Sequence, residues 1–196
     1  MGFNIEDGTG KGYIAKVDAN NRVHVDAISN DNYAAASTLG DAYTINSGYI
    51  TLTGSSTTNA LLFVENNGDN DLGLVRFNLN NKASAGTSET HGRFIFYRNP
   101  GAMTGGTGAT ITPRNLNFGS SNTLTLSTER GQNVASFTNT SEAFGSPVVP
   151  LQTITFIDSV AVIPKGTSLG VSYVTPDSNT SIQVAVGLNV YEIRED

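Results

Sequence analysis

Five stretches of the chain have the composition of half-buried strands, and most of them alternate apolar and polar residues with a period of two. They are ALLFVEN (Ala60–Asn66), GLVRFNLN (Gly73–Asn80), GRFIFYR (Gly92–Arg98), LQTITFI (Leu151–Ile157) and SIQVAVGLNVYEI (Ser181–Ile193). This alternation places apolar side chains on one face, as in a strand that is buried on one side. No window of similar length shows apolar residues at a helical period with caps. The sequence therefore predicts an all-β protein.

From about Asp41 onward, strand and turn signals follow one another along the chain. They predict about eight to ten strands with long crossing loops, a count typical of a jelly roll. We therefore predict a jelly-roll-like antiparallel β-sandwich over residues 41–196, in which Asn66-Asn67-Gly68-Asp69 forms a hairpin turn between two strands. Further strands are predicted at Leu124–Leu126, Val134–Thr138, Val160–Ile163 and Ser168–Val174.

Residues 1–40 differ from this pattern and are predicted to form an N-terminal docking arm and a linker. The short alternating runs Tyr13–Val17 and Arg22–Ala27 flank an Asn-rich turn, which predicts an extended β-hairpin. An isolated hairpin is marginally stable in water, so the arm needs the body of its own subunit or a neighbouring one. The segment Ser29–Gly40 is predicted to be a linker with at most one turn of helix.

Composition excludes several classes of function. The formal net charge is −6 and only 14% of residues are charged, which disfavours nucleic acid and anionic membranes as partners. The chain has no cysteine, so it has neither a disulfide nor a thiolate metal site. No apolar run approaches the roughly 20 residues of a membrane span. The N-terminus lacks the basic and apolar regions of a signal peptide, so synthesis in the cytoplasm is expected.

Residues able to catalyse a reaction are few and scattered. Only His24 and His91 carry an imidazole, and no G-x-S-x-G motif accompanies either of them. The run Asn67–Gly73 alternates oxygen-bearing residues, but its glycine and acidic spacing do not fit a calcium loop, and a turn is the simpler interpretation. A carbohydrate-cleaving site would need two facing carboxylates and normally aromatic platforms, and the chain has no Trp. We therefore predict no enzyme activity, cofactor or metal.

Three stretches resemble virion structural proteins of tailed bacteriophages, chiefly the small β-sandwich proteins that decorate or cement the capsid. The first is GFNIEDGTGKGYIAKVDANNRVHVDAIS, which is similar to the N-terminal arms of such proteins. The second is TITPRNLNFGSSNT, and the third is IPKGTSLGVSYVTPDSNTSIQVAVGLNVYEI, which resembles the last strands of their sandwich. Within the arm, the matching positions are Gly10, Gly12, Ala15, Lys16, Val17, Asn21 and Arg22.

The resemblance implies a non-enzymatic protein on the exterior of a phage capsid. Its partners would be the major capsid protein and further copies of the chain, as a homotrimer. Docking to the capsid would use arm residues Phe3, Ile5, Tyr13, Ile14, Lys16, Val17, Arg22 and Val23. A partner-facing loop would use Pro113, Asn115, Asn117 and Ser120.

Two questions stay open at this point. The apolar residues of the arm could instead pack on their own sandwich. The alternative function is a head-fibre, neck or tail component that the arm anchors, possibly with a host-binding sandwich. Loops such as GAMTGGTGAT (Gly101–Thr110) carry no aromatic residue, which favours decoration over host binding.

Overall fold

A computed structural model describes residues 32–53, 57–83, 91–107, 111–139, 143–150, 153–175 and 181–194. The one helix among them is α1 (Asn32–Leu39). The strands are β1 (Ala42–Asn46), β2 (Ile50–Leu52), β3 (Thr58–Asn66), β4 (Asp71–Ala83), β5 (His91–Arg98), β6 (Met103–Thr104), β7 (Arg114–Asn115), β8 (Leu126–Arg130), β9 (Ser136–Phe137), β10 (Ala143–Gly145), β11 (Val148–Pro150), β12 (Thr153–Ile163), β13 (Ser168–Val174) and β14 (Ile182–Ile193). The predicted N-terminal hairpin lies outside the described residues.

Two six-stranded antiparallel sheets form the sandwich. The first has the order β12-β4-β14-β1-β7, with β2 beside β14, and the second has the order β10-β5-β13-β3-β8, with β11 beside β5. The long strands alternate between the sheets along the chain, from β3 to β4 to β5 and again from β12 to β13 to β14. This alternation is the jelly-roll arrangement. The predicted jelly-roll-like antiparallel β-sandwich is confirmed.

The core lies between the inner faces of the two sheets. Along β14, Val184, Val186, Leu188 and Val190 are fully buried. Aromatic rings join the two layers, since the Phe77 ring on β4 stacks on a ring of the opposite sheet at 4.2 Å between centroids. Burying one such side chain contributes about 1.5–3 kcal/mol, so this interior is the main stabilising element of the chain.

The predicted hairpin turn at Asn66–Asp69 is wrong. Strand β3 pairs with β13 and β8, while β4 pairs with β12 and β14, so the chain changes sheets at this turn. The local sequence encodes a reversal of chain direction, but it does not encode which sheet the next strand joins. The turn is therefore a corner of the sandwich.

The predicted linker over Ser29–Gly40 is also wrong in part, because α1 has eight residues, about two turns. Gly40, with φ of +83°, ends the helix in the left-handed conformation that favours glycine. The amide of Asp41 then donates to the carbonyl of Ala36 at 2.8 Å. The Tyr33 ring meets the Tyr191 ring edge-on at 6.3 Å, so this helix packs on β14.

One further sequence prediction changes in detail. The sequence predicts separate strands at Leu151–Ile157 and Val160–Ile163, but the described residues of both runs belong to the single strand β12, which has a register shift between Asp158 and Ala161. The long segment after β5 packs on its own sandwich. Its strand β6 pairs with β9, its strand β7 pairs with β1, and Ile111 is buried in the core.

Candidate functional site

The outer face of the first sheet carries a set of side-chain amides. In one row across the strands, Phe156, Asn78, Gly187 and Asn46 are register neighbours. The residues between them on the strands point into the core, so these side chains face outward. We call this surface the amide face. It consists of Asn46, Asn78, Asn80, Gln183 and Asn189.

A shallow depression of about 320 Å³ lies in the amide face. A side chain at Gly187 would meet the Asn78 amide nitrogen at 3.2 Å, so glycine there keeps the floor open. The Tyr49 hydroxyl accepts a hydrogen bond from the Asn80 amide at 2.7 Å, which holds a half-exposed ring at the rim. Phe156 lines the same depression. The result is a groove with amide hydrogen-bonding groups and ring surfaces.

A second depression of about 420 Å³ adjoins the first and shares Asn46 and Gly48 with it. We call it the arginine pocket, because Arg114 and Arg130 line it. A terminal nitrogen of Arg130 donates to the Tyr49 carbonyl at 2.9 Å, and its buried Nε has no hydrogen-bond partner among the described residues. Thr44, Ser47, Ile111 and Thr112 also line it.

The arginine pocket is positively charged within an acidic chain. Three ion pairs join described residues, namely Arg76–Asp158, Lys165–Asp69 and Arg194–Asp41. None of these pairs involves Arg114 or Arg130. Within the described part of the chain, both guanidinium groups are therefore left without a carboxylate partner.

A third feature is an apolar surface that extends from one lateral side of the sandwich onto the β12 edge of the outer face of the first sheet. It is formed by β10, β11 and β12, and β11 packs beside β12. The side chains that are at least about half exposed there are Phe144, Val148, Ile154, Phe156 and Val162. We call this surface the apolar side. It includes a cavity of about 330 Å³, lined by Phe144 and Val162 among others.

Where the structure describes them, the residues considered for catalysis or metal binding lie in loops and at the starts of strands. His91 is exposed at the start of β5, and His24 lies outside the described residues. In the run Asn67–Gly73, Asp69 pairs with the Lys165 Nζ at 3.0 Å, and Asp71 accepts a hydrogen bond from the Lys165 backbone amide at 2.9 Å. Within the described ranges, no three His, Asp or Glu side chains gather as metal ligands would.

One titratable cluster lies where α1 meets the first sheet. The buried Asp41 pairs with Arg194 at 2.6 Å, and the amide of Asn122 donates to the same carboxylate oxygen at 3.1 Å. Burial raises the pKa of Glu192, the charge of Asp41 adds to this, and Arg194 partly offsets it. Burial and these two carboxylates also raise the pKa of Tyr43.

Replacing Glu192 by glutamine is expected to raise the melting temperature at pH 7. A carboxyl with a pKa raised by folding stabilises the fold below its unfolded pKa, and that contribution is lost as the pH rises through the folded value. The charged form of Glu192 therefore opposes folding at neutral pH, and the gain in the variant should shrink toward pH 4. Thermal unfolding at both pH values measures this. Glu65→Gln on β3 is the control, and an equal gain in both variants would contradict the explanation.

The predicted site residues fall into two groups. Phe3, Ile5, Tyr13, Ile14, Lys16, Val17, Arg22 and Val23 all lie outside the described residues, so their docking role stays a prediction. In the predicted partner-facing loop, the Asn115 amide donates to the Gly40 carbonyl at 2.7 Å and that of Asn117 donates to the Thr38 carbonyl at 2.8 Å. These contacts hold the loop on its own subunit.

Ser120 and Pro113 are the other two residues of the predicted partner-facing loop. The Ser120 hydroxyl accepts a hydrogen bond from the backbone amide of Asn122 at 3.1 Å, and Pro113 is partly buried beside β7. The expectation that exposed aromatic residues are missing from the loops is wrong, because the Phe118 side chain in this loop is 99% exposed.

Sequence reasoning missed Arg114, Arg130 and Tyr49. These residues are separated by up to 81 positions in the sequence. They come together only through the pairing of β1 with β7 and through the hydrogen bond from Arg130 on β8 to Tyr49. Alternation in β14 and β4 did indicate that polar residues share a face. The alternation did not indicate which residues of the short strands lie beside that face.

The sequence matches no protein-family profile, and a search of curated proteins finds no match to the chain. Among the described residues, no helix has the length and apolar character needed to span a membrane.

Proposed function

We propose that this chain is a structural, non-enzymatic protein of a bacteriophage virion, which binds the exterior of the assembled capsid and stabilises it. Its partners are the major capsid protein and neighbouring copies of itself, in a homotrimer. It is made in the host cytoplasm and functions in the virion. The resemblance of three stretches of sequence supports the phage assignment, and the apolar side of the sandwich supports a role in assembly.

The apolar side is the main structural support for a role in assembly. Nine large hydrophobic side chains are exposed among the described residues, and five of them belong to β10, β11 and β12. Strand β12 is an edge strand whose described pairing is with β4 alone, so its outer backbone groups can pair with another chain. Clustered apolar side chains next to an open strand edge are typical of a protein–protein interface. We infer that a second copy of the chain covers this side.

The N-terminal arm supplies the capsid contact in this proposal. An extended segment can lie along a capsid lattice or add a strand to a neighbour through main-chain hydrogen bonds. A protein that binds only the assembled shell stabilises it by mass action, because disassembly then also requires the bound protein to dissociate. This mechanism needs no catalytic group.

The alternative proposal is a head-fibre, neck or tail component with a host-binding sandwich. The fully exposed Phe118 favours it, because exposed aromatic side chains in loops are typical of contact surfaces. The copy number per virion separates the two proposals. Hundreds of copies would support decoration of the capsid, whereas a few copies would support a neck or tail position. Quantitative mass spectrometry of purified virions measures this number.

The proposed function is tested on capsids purified from a phage that lacks this gene. Deleting residues 1–28 is expected to abolish cosedimentation with capsids while circular dichroism still reports a folded sandwich.

Replacing Ile154 and Phe156 together by serine is expected to convert the oligomer to a monomer in light scattering. The matched control is Val134→Ser, which changes an exposed apolar residue after β8. Capsid binding by the deleted chain, or a trimer formed by the double variant, would contradict the proposal.

A further inference from the structure

We propose that the arginine pocket and the adjoining depression in the amide face together bind an acidic saccharide, a sugar that carries a carboxylate. The proposal does not rest on the role in capsid assembly, and it leaves Ile154 and Phe156, which lie at the β12 edge of the amide-face depression, to the contact with a second copy of the chain. It combines two observations, namely a pair of guanidinium groups without described carboxylate partners and a neighbouring groove of amides and rings. The two depressions meet at Asn46 and Gly48, so one extended ligand can occupy both.

The arginine pocket provides the charge recognition. A guanidinium group binds a carboxylate through two parallel hydrogen bonds, which makes arginine the suitable side chain for this group. The contact of Arg130 with the Tyr49 carbonyl already fixes its orientation, so binding loses less side-chain freedom. Arg114 projects from the outer face opposite Thr44, in the same row as Asn189. The carboxylate therefore has donors on two sides.

The amide face provides groups that suit the uncharged remainder of a sugar. Each side-chain amide both donates and accepts hydrogen bonds, as each sugar hydroxyl does. The side-chain oxygen of Asn78 has no partner among the described residues, and Asn78 lines this depression. Tyr49 offers an apolar ring surface for the C–H groups of the sugar ring. Both depressions have the size of small-molecule sites.

The charge distribution favours an acidic saccharide over other anions. A nucleic acid or other dense polyanion needs a broad basic surface, and the chain has a net charge of −6. Only two arginines line the arginine pocket, and the amide-face depression is lined by no charged residue. A ligand with one acidic group and a neutral, hydroxyl-rich body matches this arrangement.

Titration calorimetry with 3′-sialyllactose and with trigalacturonate tests the proposal, and lactose is the neutral comparison. At least one of the acidic saccharides is expected to bind, and at least about tenfold more tightly than lactose. Arg114→Ala and Arg130→Ala should each weaken its binding by about tenfold or more. Arg93→Ala, which removes one positive charge from β5 in the other sheet, should leave binding unchanged.

Several results would overturn the proposal. They are no binding of either acidic saccharide at millimolar concentration, equal binding of lactose, or unchanged binding in both arginine variants. Equally tight binding of inorganic phosphate or of triglutamate would indicate a general anion site or a peptide site instead. Because Arg130 is partly buried, Arg130→Lys and a thermal unfolding curve for each variant separate loss of the ligand contact from loss of the fold.

Discussion

Replacing Asn66 by alanine is expected to lower the free energy of unfolding by about 3–4 kcal/mol, measured by urea denaturation. The residue is fully buried at the corner where the chain changes sheets. Its amide nitrogen donates to the carbonyls of Asn70 at 2.9 Å and Ile163 at 3.0 Å, and its side-chain oxygen accepts from Gly68 at 3.1 Å. Alanine would leave these groups without partners, and an unsatisfied buried group costs about 1–3 kcal/mol.

The neighbouring Asn67→Ala is the matched control for this prediction. The Asn67 side chain is exposed and its amide donates to the hydroxyl of Ser127 at 2.5 Å, so we expect a loss of about 0.5 kcal/mol or less. Equal losses in the two variants would show that the corner is not stabilised through Asn66.

The corner matters because two crossovers meet there. The Asn66 backbone amide donates to the Thr167 carbonyl at 2.9 Å, and the Gly166 amide donates to the Asn66 carbonyl at 2.8 Å. One residue therefore ties the β3–β4 connection to the β12–β13 connection. Both connections pass from one sheet to the other, so their relative position helps to set the packing of the two layers.

The sequence predicted the strands well because a period of two is a local property. The run Ser168–Val174 coincides with β13, and the alternation from Ser181 correctly indicates the long β14. The same property does not determine which sheet a strand joins. Turn residues such as those after Asn66 favour a reversal in a hairpin and in a crossover alike. The helix was underestimated because Ala34–Ala36 and a terminal glycine were interpreted as linker composition, although alanine favours helices.

The candidate site was less predictable than the fold. Arg114 and Thr44 are 70 positions apart in the sequence and become neighbours only through the register of β7 against β1. That register involves two residues of β7, too few to show any alternation. Asn115 and Asn117 were assigned to a partner because their motif resembles a loop of phage proteins. The structure gives their amides carbonyl partners on α1 and the residue after it, and the partner-facing role of the loop stays a prediction.

Replacing Phe96 by alanine is expected to lower the free energy of unfolding by about 3–5 kcal/mol, the range for a buried phenylalanine. Its ring lies between two others, stacked on Phe77 at 4.2 Å and facing Phe144 at 5.8 Å. Phe96 is 4% exposed, so its removal leaves a cavity between the sheets.

Phe144→Ala is the matched control for the core prediction, because it removes the same side chain from the outer end of the same column. The Phe144 side chain is 48% exposed, so only about half of its apolar surface is buried in the monomer. We therefore expect its removal to lower the free energy of unfolding by about 1 kcal/mol or less. Urea denaturation of both variants at a concentration where the chain is monomeric measures the difference. A large loss in Phe144→Ala would mean that this ring stabilises the isolated subunit, which would contradict the prediction. A small loss would mean that the exposed part of the ring adds little to the stability of the monomer and is available for contact with a second copy.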